Sequence, residues 1–118
     1  MPGGLGSSVS VPLMTKRDRD GNEVTLLQWS DLWADMSYRL LSEDLVRDVR
    51  VRTMWEGVDD LGGAMFCVGV QQGTGAFVTV AEPATQESAQ QTHARVVTIV
   101  ADADSTDLLR HITAQLVA

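Results

Sequence analysis

Two histidines and one cysteine are the side chains of this sequence best suited to catalysis near neutral pH. Nucleophilic catalysis by Cys67 requires a paired histidine and a group that orients it, and no spacing indicates such a set. Cys67 lies in a β-type run, which favours a small buried residue. His93 lies on the predicted inward stripe of a helix, which favours a packed histidine bonded to the backbone or to Tyr38. We expect no catalytic set, and the roles of both residues stay open.

Carboxylates are the second group with possible chemistry, because clusters of them can bind metal ions. Two are adjacent in a predicted loop, and three more lie near His111. Neither set has a recognisable ligand spacing, and acids near the start of a helix are stabilised by its dipole. We therefore expect no metal and no cofactor. The same carboxylates are the candidate contacts with a protein partner, namely Asp59, Asp60, Asp102, Asp104 and Asp107.

Two glycine-containing segments resemble ligand loops but favour plain turns. A calcium loop of the EF-hand type has glycine at its sixth position, whereas Gly21 is the fourth residue counted from Asp18. The pair Asp20-Gly21 is instead a strong signal for a tight turn. The run Gly73–Gly75 joins two predicted strands and does not open a helix, so it is no phosphate cradle.

Arg50 and Arg52 share one face of a predicted strand. They could bind an anion, or they could pair with Glu43 and Asp44 across a hairpin. We expect the second arrangement, with the charged side chains on a solvated face.

The composition describes one small acidic domain. The chain has 118 residues, 44% of them hydrophobic, so it can bury a core without a metal or a disulfide. Its 9 basic and 16 acidic residues give a net charge of −7. Such a surface repels phosphate, so we expect a protein partner or self-association and no direct nucleic-acid binding.

The N-terminal residues and the cysteine usage indicate where the chain works. The first ten residues lack the basic and apolar regions of a secretory signal. No apolar run approaches the roughly 20 residues that a membrane span requires. The single cysteine excludes an internal disulfide and fits a reducing compartment. We expect a cytoplasmic protein without membrane contact.

Hydrophobic periodicity predicts the elements that position these residues. We expect α+β architecture, with a mostly antiparallel sheet of three to five strands packed on one face by two or three helices. Residues 1–24 form an N-terminal arm with a possible hairpin, flexible over 1–8, and 25–118 form one domain. Predicted strands lie at 9–14, 38–46, 49–56, 64–70 and 76–81, and predicted helices at 26–36 and 84–101. A third predicted helix has Leu108, Leu109, Ile112 and Leu116 on one face.

Three details of these elements bear on the site. Thr25 and Gln28 form a capping-box pattern before the first helix. The tail 96–100 of the second helix is β-branched and could be a strand. Asp104 or Ser105 is expected to cap the third helix. The stripe expected to face inward from the first helix consists of Leu26, Trp29, Leu32, Trp33 and Met36.

Three stretches of this chain form patterns that recur together elsewhere. One is Gln28-Trp29, followed by Asp35 and Tyr38. The other two are Thr53-x-Trp55-x-Gly57-x-Asp59 with Phe66, and Thr85-x3-Ala89-x3-His93-x3-Val97.

Together these stretches span residues 25–100 and resemble a group of short, uncharacterised phage and prophage proteins, chiefly of actinobacteria. Three residues depart from the pattern of that group, which often has His where Asp60 stands and Glu-Thr in place of Cys67-Val68. The resemblance implies an architecture and a phage source, and with it a place in the host cytoplasm or the virion. Because we expect no catalytic set, we expect a non-enzymatic protein. Its role would be assembly, as a virion or tail-associated component. The alternative is an acidic module that inhibits a host or defence protein.

Overall fold

The computed structural model describes residues 15–59, 64–104 and 107–117. Its elements, in chain order, are β1 (Thr15–Lys16), α1 (Leu26–Trp33), α2 (Met36–Arg39), β2 (Leu40–Val46), β3 (Val49–Trp55), β4 (Val58–Asp59), β5 (Phe66–Gln72), β6 (Val78–Ala81), α3 (Gln86–Asp102) and α4 (Leu108–Val117).

The main sheet has four antiparallel strands in the order β2-β3-β5-β6. A second, two-stranded antiparallel sheet pairs β1 with β4. The predicted α+β class and its two consecutive hairpins are therefore confirmed. The predicted strand at 9–14 and the flexible segment at 1–8 lie outside the described residues.

One face of the main sheet forms the core, and the burial of alternate residues in β3 shows which face this is. Val49, Val51, Thr53 and Trp55 are buried, while the residues between them face the opposite side and are half-buried. This period of two is the one expected for a strand with one covered face. Helix α3 covers that face with Ala89, His93, Val96 and Val100.

The tail of α3 is helical, which settles the choice that its β-branched residues left open. Val96 and Val100 are one turn apart and both are buried, so a helix covers the sheet with both side chains. Thr85 caps the start of α3, and its hydroxyl accepts the Ser88 N–H at 3.1 Å.

The apolar interior consists of two clusters. One lies between the sheet, the C-terminal half of α3 and α4. The other lies at the opposite end of α3, where Trp55, Met65, Phe66 and Ala89 meet. Thr53 and His93 come between the two clusters along β3 and α3, so polar atoms separate the apolar regions.

The first helix is shorter than predicted. It begins at Leu26, where Thr25 and Gln28 form the expected capping box, but it ends at Trp33 rather than Met36. Asp35 is extended and caps a separate short helix, α2. The Ser37 hydroxyl donates to its carboxylate at 2.6 Å, and this bond, with the N–H of Tyr38, lowers the pKa of Asp35. The strand predicted from Tyr38 therefore begins at Leu40.

The turn and helix ends at the far side of the sheet carry two polar caps. Arg47 has a φ of 61° in the predicted turn, and its guanidinium donates to the carbonyls of Val100 and Ala103 at the end of α3. Helix α4 begins at Leu108, where the Asp107 carboxylate accepts the Arg110 N–H at 3.4 Å. The cap expected at Asp104 is thus wrong, and the alternative cap, Ser105, lies outside the described residues.

A helix that crosses a membrane needs roughly 20 predominantly apolar residues. No helix within 15–59, 64–104 or 107–117 has that length and apolar character.

Candidate functional site

A hydrogen-bond network joins α3 to two strands. Thr53 and His93 are buried in it, whereas the Asp44 side chain is 55% exposed. The Thr53 Oγ1 and the His93 Nδ1 are 2.7 Å apart, and the His93 Nε2 is 2.7 Å from the Asp44 Oδ2. In the neutral imidazole, Nε2–H donates to the carboxylate, so Nδ1 accepts the proton of the Thr53 hydroxyl. His93 is buried as predicted, but its partners are Thr53 and Asp44, so the bond expected to the backbone or Tyr38 is wrong.

The order hydroxyl, imidazole and carboxylate is that of a hydrolase triad, but access argues against this function. Thr53 is 0% exposed on the covered face of β3, so a substrate cannot reach its hydroxyl. These hydrogen bonds connect β3, α3 and β2, which are distant from one another in sequence. We interpret them as a stabilising network that fixes how α3 lies on the sheet.

Replacing Thr53 with valine should destabilise the protein by about 1–3 kcal/mol. The change keeps the side-chain shape but leaves the His93 Nδ1 buried without its donor. Urea unfolding, followed by circular dichroism, gives the free energy of unfolding for the comparison.

Thr79→Val on an exposed position of β6 is the matched control, with an expected change below about 0.5 kcal/mol. Equal losses in the two variants would show that the buried hydroxyl contributes nothing specific.

Cys67 lies half-buried on the uncovered side of β5, opposite Met54 of β3. Burial, with smaller contributions from Glu56 and Glu82, raises the pKa of the Cys67 thiol to about 11. The thiol is therefore protonated at neutral pH, and it is a poor nucleophile there.

The folded protein should react with iodoacetamide about 100-fold more slowly at pH 8 than an ordinary thiol, in proportion to its smaller thiolate fraction. Mass spectrometry of timed samples measures the rate. The urea-unfolded chain is the control and should react at the ordinary rate. Equal rates in the folded and unfolded states would contradict the raised pKa.

An aromatic cluster forms the end of the sheet where β3 finishes. Trp55 is 0% exposed at its centre, and Trp29 and Trp33 each lie 6.4 Å from it between ring centroids. Tyr38 meets Trp55 edge to face at 5.1 Å. The Trp55 indole N–H donates to the carbonyl of Arg17 at 3.0 Å, which attaches the segment before α1 to the core. Trp55 is therefore interior packing surface.

Cations close the outer edge of this cluster. The Arg39 guanidinium carbon lies 3.4 Å from the ring centroid of Trp33, and its NH2 is 3.0 Å from the Glu56 carboxylate. The Lys16 ammonium lies 4.5 Å from the centroid of Trp29. These contacts stabilise the half-buried rings by cation–π attraction and leave little ring surface for a ligand.

Helix α1 presents apolar residues to solvent. None of its residues is buried, and Leu26 and Leu27 are 63% and 79% exposed. The prediction that Leu26 and Met36 face inward is wrong, because only Trp29, Leu32 and Trp33 of that stripe pack against the aromatic cluster. Asp31 lies one turn after Leu27, so the exposed side of α1 combines apolar and acidic groups. We call Leu26, Leu27 and Asp31 the α1 face.

We call the side of the main sheet opposite α3 the open sheet face. A shallow groove of about 180 Å³ crosses it, and its walls come from strand residues and from Phe77 just before β6. The residues lining it are Arg52, Met54, Cys67, Gly69, Phe77 and Thr79.

Charged residues on this face pair largely as predicted. Arg52 lies 2.7 Å and Arg50 lies 3.6 Å from the carboxylate of Glu43 across the hairpin. Asp44 does not join them, because it points to the covered side and binds His93. One carboxylate therefore balances two guanidinium groups.

The predicted partner-binding carboxylates do not form one cluster. Asp59 follows the Trp55 end of the sheet and pairs with Arg17 at 2.8 Å. Asp102 and Asp104 are exposed at the opposite end, where α3 finishes, and Asp107 pairs with Arg110. Asp60 lies outside the described residues.

His111 faces a groove between α3 and α4 that Asp102 also lines. Nowhere in the described parts of the chain do three His, Cys, Asp or Glu side chains come together as a possible metal site.

Sequence reasoning missed Thr53 and Asp44 as partners of His93. A signal existed for each. Thr53 is the polar residue at an inward position of an alternating strand, so it must find a hydrogen-bond partner. The two-residue turn at Arg47 and Asp48 places Asp44 opposite Val51, an inward residue.

No family model, no curated protein and no solved structure matches this chain. The likeness to phage and prophage proteins therefore stays a prediction from the sequence patterns.

Proposed function

We propose that this chain is a non-enzymatic, phage-encoded protein that acts by assembly, as a minor component of the virion or its tail. The observation that carries the proposal is the α1 face, where Leu26 and Leu27 lie in solvent. An exposed apolar patch rimmed by polar groups is typical of a protein–protein contact.

The state of the chemically versatile side chains also supports a non-enzymatic role. His93 is bonded at both ring nitrogens, and the Thr53 hydroxyl is sealed inside the sheet. The thiol of Cys67 is protonated at neutral pH because burial raises its pKa. These three observations favour a role in binding over one in catalysis.

A second candidate function is inhibition of a basic host or defence protein. The net charge of −7 favours it, because an acidic surface accelerates association with a basic partner. Inhibition of this kind would require binding and no catalysis, as would the proposed role in virion assembly.

Purified particles of the phage or prophage that encodes the chain test the proposed function. Quantitative mass spectrometry across a density gradient should find the chain at a constant ratio to the major capsid protein. Leu27→Asp should lower that ratio, whereas Gln90→Asp, an exposed position on α3 with the same charge change, should not. Particles that lack the wild-type chain would exclude a virion role and leave the inhibitory one.

A further inference from the structure

We propose that the α1 face binds a segment of another protein that carries apolar side chains beside Lys or Arg. This inference deepens the proposed function and rests on it, because it states the chemistry of the partner that the α1 face contacts in assembly. The apolar side chains of the partner would cover Leu26 and Leu27, and its cations would meet the carboxylates of the same region.

The apolar component of this contact is concentrated in α1 and at the start of α2. Leu26 and Leu27 are 63% and 79% exposed, and Met36 is 55% exposed. They are three of the six large apolar side chains that are exposed in the described parts of the chain. Removal of such surface from water drives most protein association. A partner therefore needs apolar side chains of its own to cover them.

The charged residues along this segment are all acidic. Residues 20–38 contain four carboxylates and no Lys, Arg or His, and each of the four acidic residues is exposed. Asp31 lies one helical turn after Leu27, so an apolar and an acidic side chain share one side of α1. The four acidic residues are Asp20, Glu23, Asp31 and Asp35.

The cations beside this segment do not neutralise it. All nine basic residues of the sequence lie in the described parts of the chain, and none forms a salt bridge with Asp31. Residues 16–39 carry four positive and five negative charges. Asp59 and Glu56, which pair with Arg17 and Arg39, add two more negative charges. The excess is negative, so a basic segment complements this region.

The same charges argue against other occupants of the α1 face. A second copy that docked by the same face would place Asp31 against Asp31, and like charges across an interface are unfavourable. A nucleic acid would bring phosphate groups toward carboxylates, although its binding depends on neutralising those phosphates with Lys and Arg. A basic and apolar protein segment satisfies both components of the face.

A synthetic peptide of about 15 residues, long enough to form a helix, tests the inference with the full-length chain. The peptide combines leucine and lysine at helical spacing, and the anisotropy of a fluorescent label on it reports binding. The wild type should bind it. Leu27→Ser should weaken binding about tenfold, because it removes apolar surface from the contact. Asp31→Arg should weaken binding by a similar factor and should favour a matched peptide in which glutamate replaces lysine.

Two exposed positions on other elements supply matched controls. Val117 is 81% exposed near the end of α4, and Val117→Ser also replaces an exposed apolar side chain. Asp104→Arg makes the same change of charge as Asp31→Arg. Both control variants should bind the peptide as the wild type does. Thermal unfolding of all four variants should match the wild type, since none of these positions is buried.

Any of three results contradicts the inference. The first is a wild-type chain that does not bind the leucine–lysine peptide. The second is equal weakening by the control variants, which would indicate attraction to the net charge alone. The third is self-association of the wild type in sedimentation velocity that Leu27→Ser abolishes, which would assign the α1 face to a second copy.

The proposed function fails in a different way. A chain that binds the peptide but is absent from particles would keep the α1 face as a site for basic segments and reject the virion role. A chain that is present in particles but does not bind the peptide would retain the virion role and reject the partner chemistry inferred here.

Discussion

Alanine at position 57 should destabilise this protein by about 2–5 kcal/mol, the sum of a backbone and a packing penalty. Gly57 has a φ of 75°, in the left-handed region that a residue with a Cβ enters only at a cost. A Cβ there would lie 2.6 Å from the Trp55 Cε2 and 2.7 Å from the Arg17 carbonyl oxygen, and it would overlap the Trp55 Cζ2. The indole is buried and the carbonyl is backbone, so neither can move aside.

Gly73→Ala separates the two penalties. Gly73 also has a positive φ, of 60°, but a Cβ there would have no heavy atom within 4 Å. Its replacement should cost only the backbone part, about 1–2 kcal/mol. Urea unfolding of both variants measures the difference. Equal losses would show that Gly57 is required for its φ alone and that the contact with Trp55 relaxes freely.

Replacing Trp55 with alanine should remove about 3–5 kcal/mol of stability, the usual range for a buried aromatic residue. The indole is fully buried in the aromatic cluster, and its N–H holds the carbonyl of Arg17. The variant therefore creates a cavity and releases β1 from the core. Equilibrium unfolding in urea measures the total loss, and amide hydrogen exchange of Lys16 and Arg17 measures the release.

Trp33→Ala is the control for that change. Trp33 is half-buried and packs against the same cluster, so its loss should be clearly smaller. If both variants lose the same stability, Trp55 is not the central residue of the cluster. Faster exchange at Lys16 in Trp55→Ala alone would assign the attachment of β1 to the indole hydrogen bond.

Substitutions at Gly57 and Trp55 should also be coupled in their effect on stability. Two of the three atoms closest to a Cβ at position 57 belong to Trp55. In a Trp55→Leu background, Gly57→Ala should cost less than in the wild type. A double-mutant cycle gives the coupling energy, which is about 0.5–3 kcal/mol for residues in contact.

Local patterns predicted most of the fold. Alternation from Val49 to Trp55 predicts a strand with one covered face, because successive side chains point to opposite sides. Thr25 and Thr85 predict helix starts, because their hydroxyls bond within the first turn of the same helix. Such signals involve residues a few positions apart, so they act before any long-range contact forms.

The sequence could supply only part of the candidate surfaces. It placed Arg50 and Arg52 on one strand face, and the pairing with Glu43 follows from the hairpin register. It did not predict the exposure of Leu26. Amphipathic spacing shows which residues share a stripe, but not how much of that stripe other elements of the fold bury. The end of α1 was also predicted incorrectly. The Asp35 carboxylate accepts the N–H groups of Ser37 and Tyr38, so it caps α2 and α1 ends before it.

The sequence alone predicts one acidic α+β chain in which His93 lies on an inward face of a helix. Only the tertiary structure decided that His93 bonds Thr53 and Asp44, 40 and 49 residues away. It also decided that Val96 and Val100 continue a helix. The physical reason is that periodicity and capping are set by neighbours along the chain. Partner choice for a buried polar atom and the degree of burial instead depend on how separate elements lie against one another.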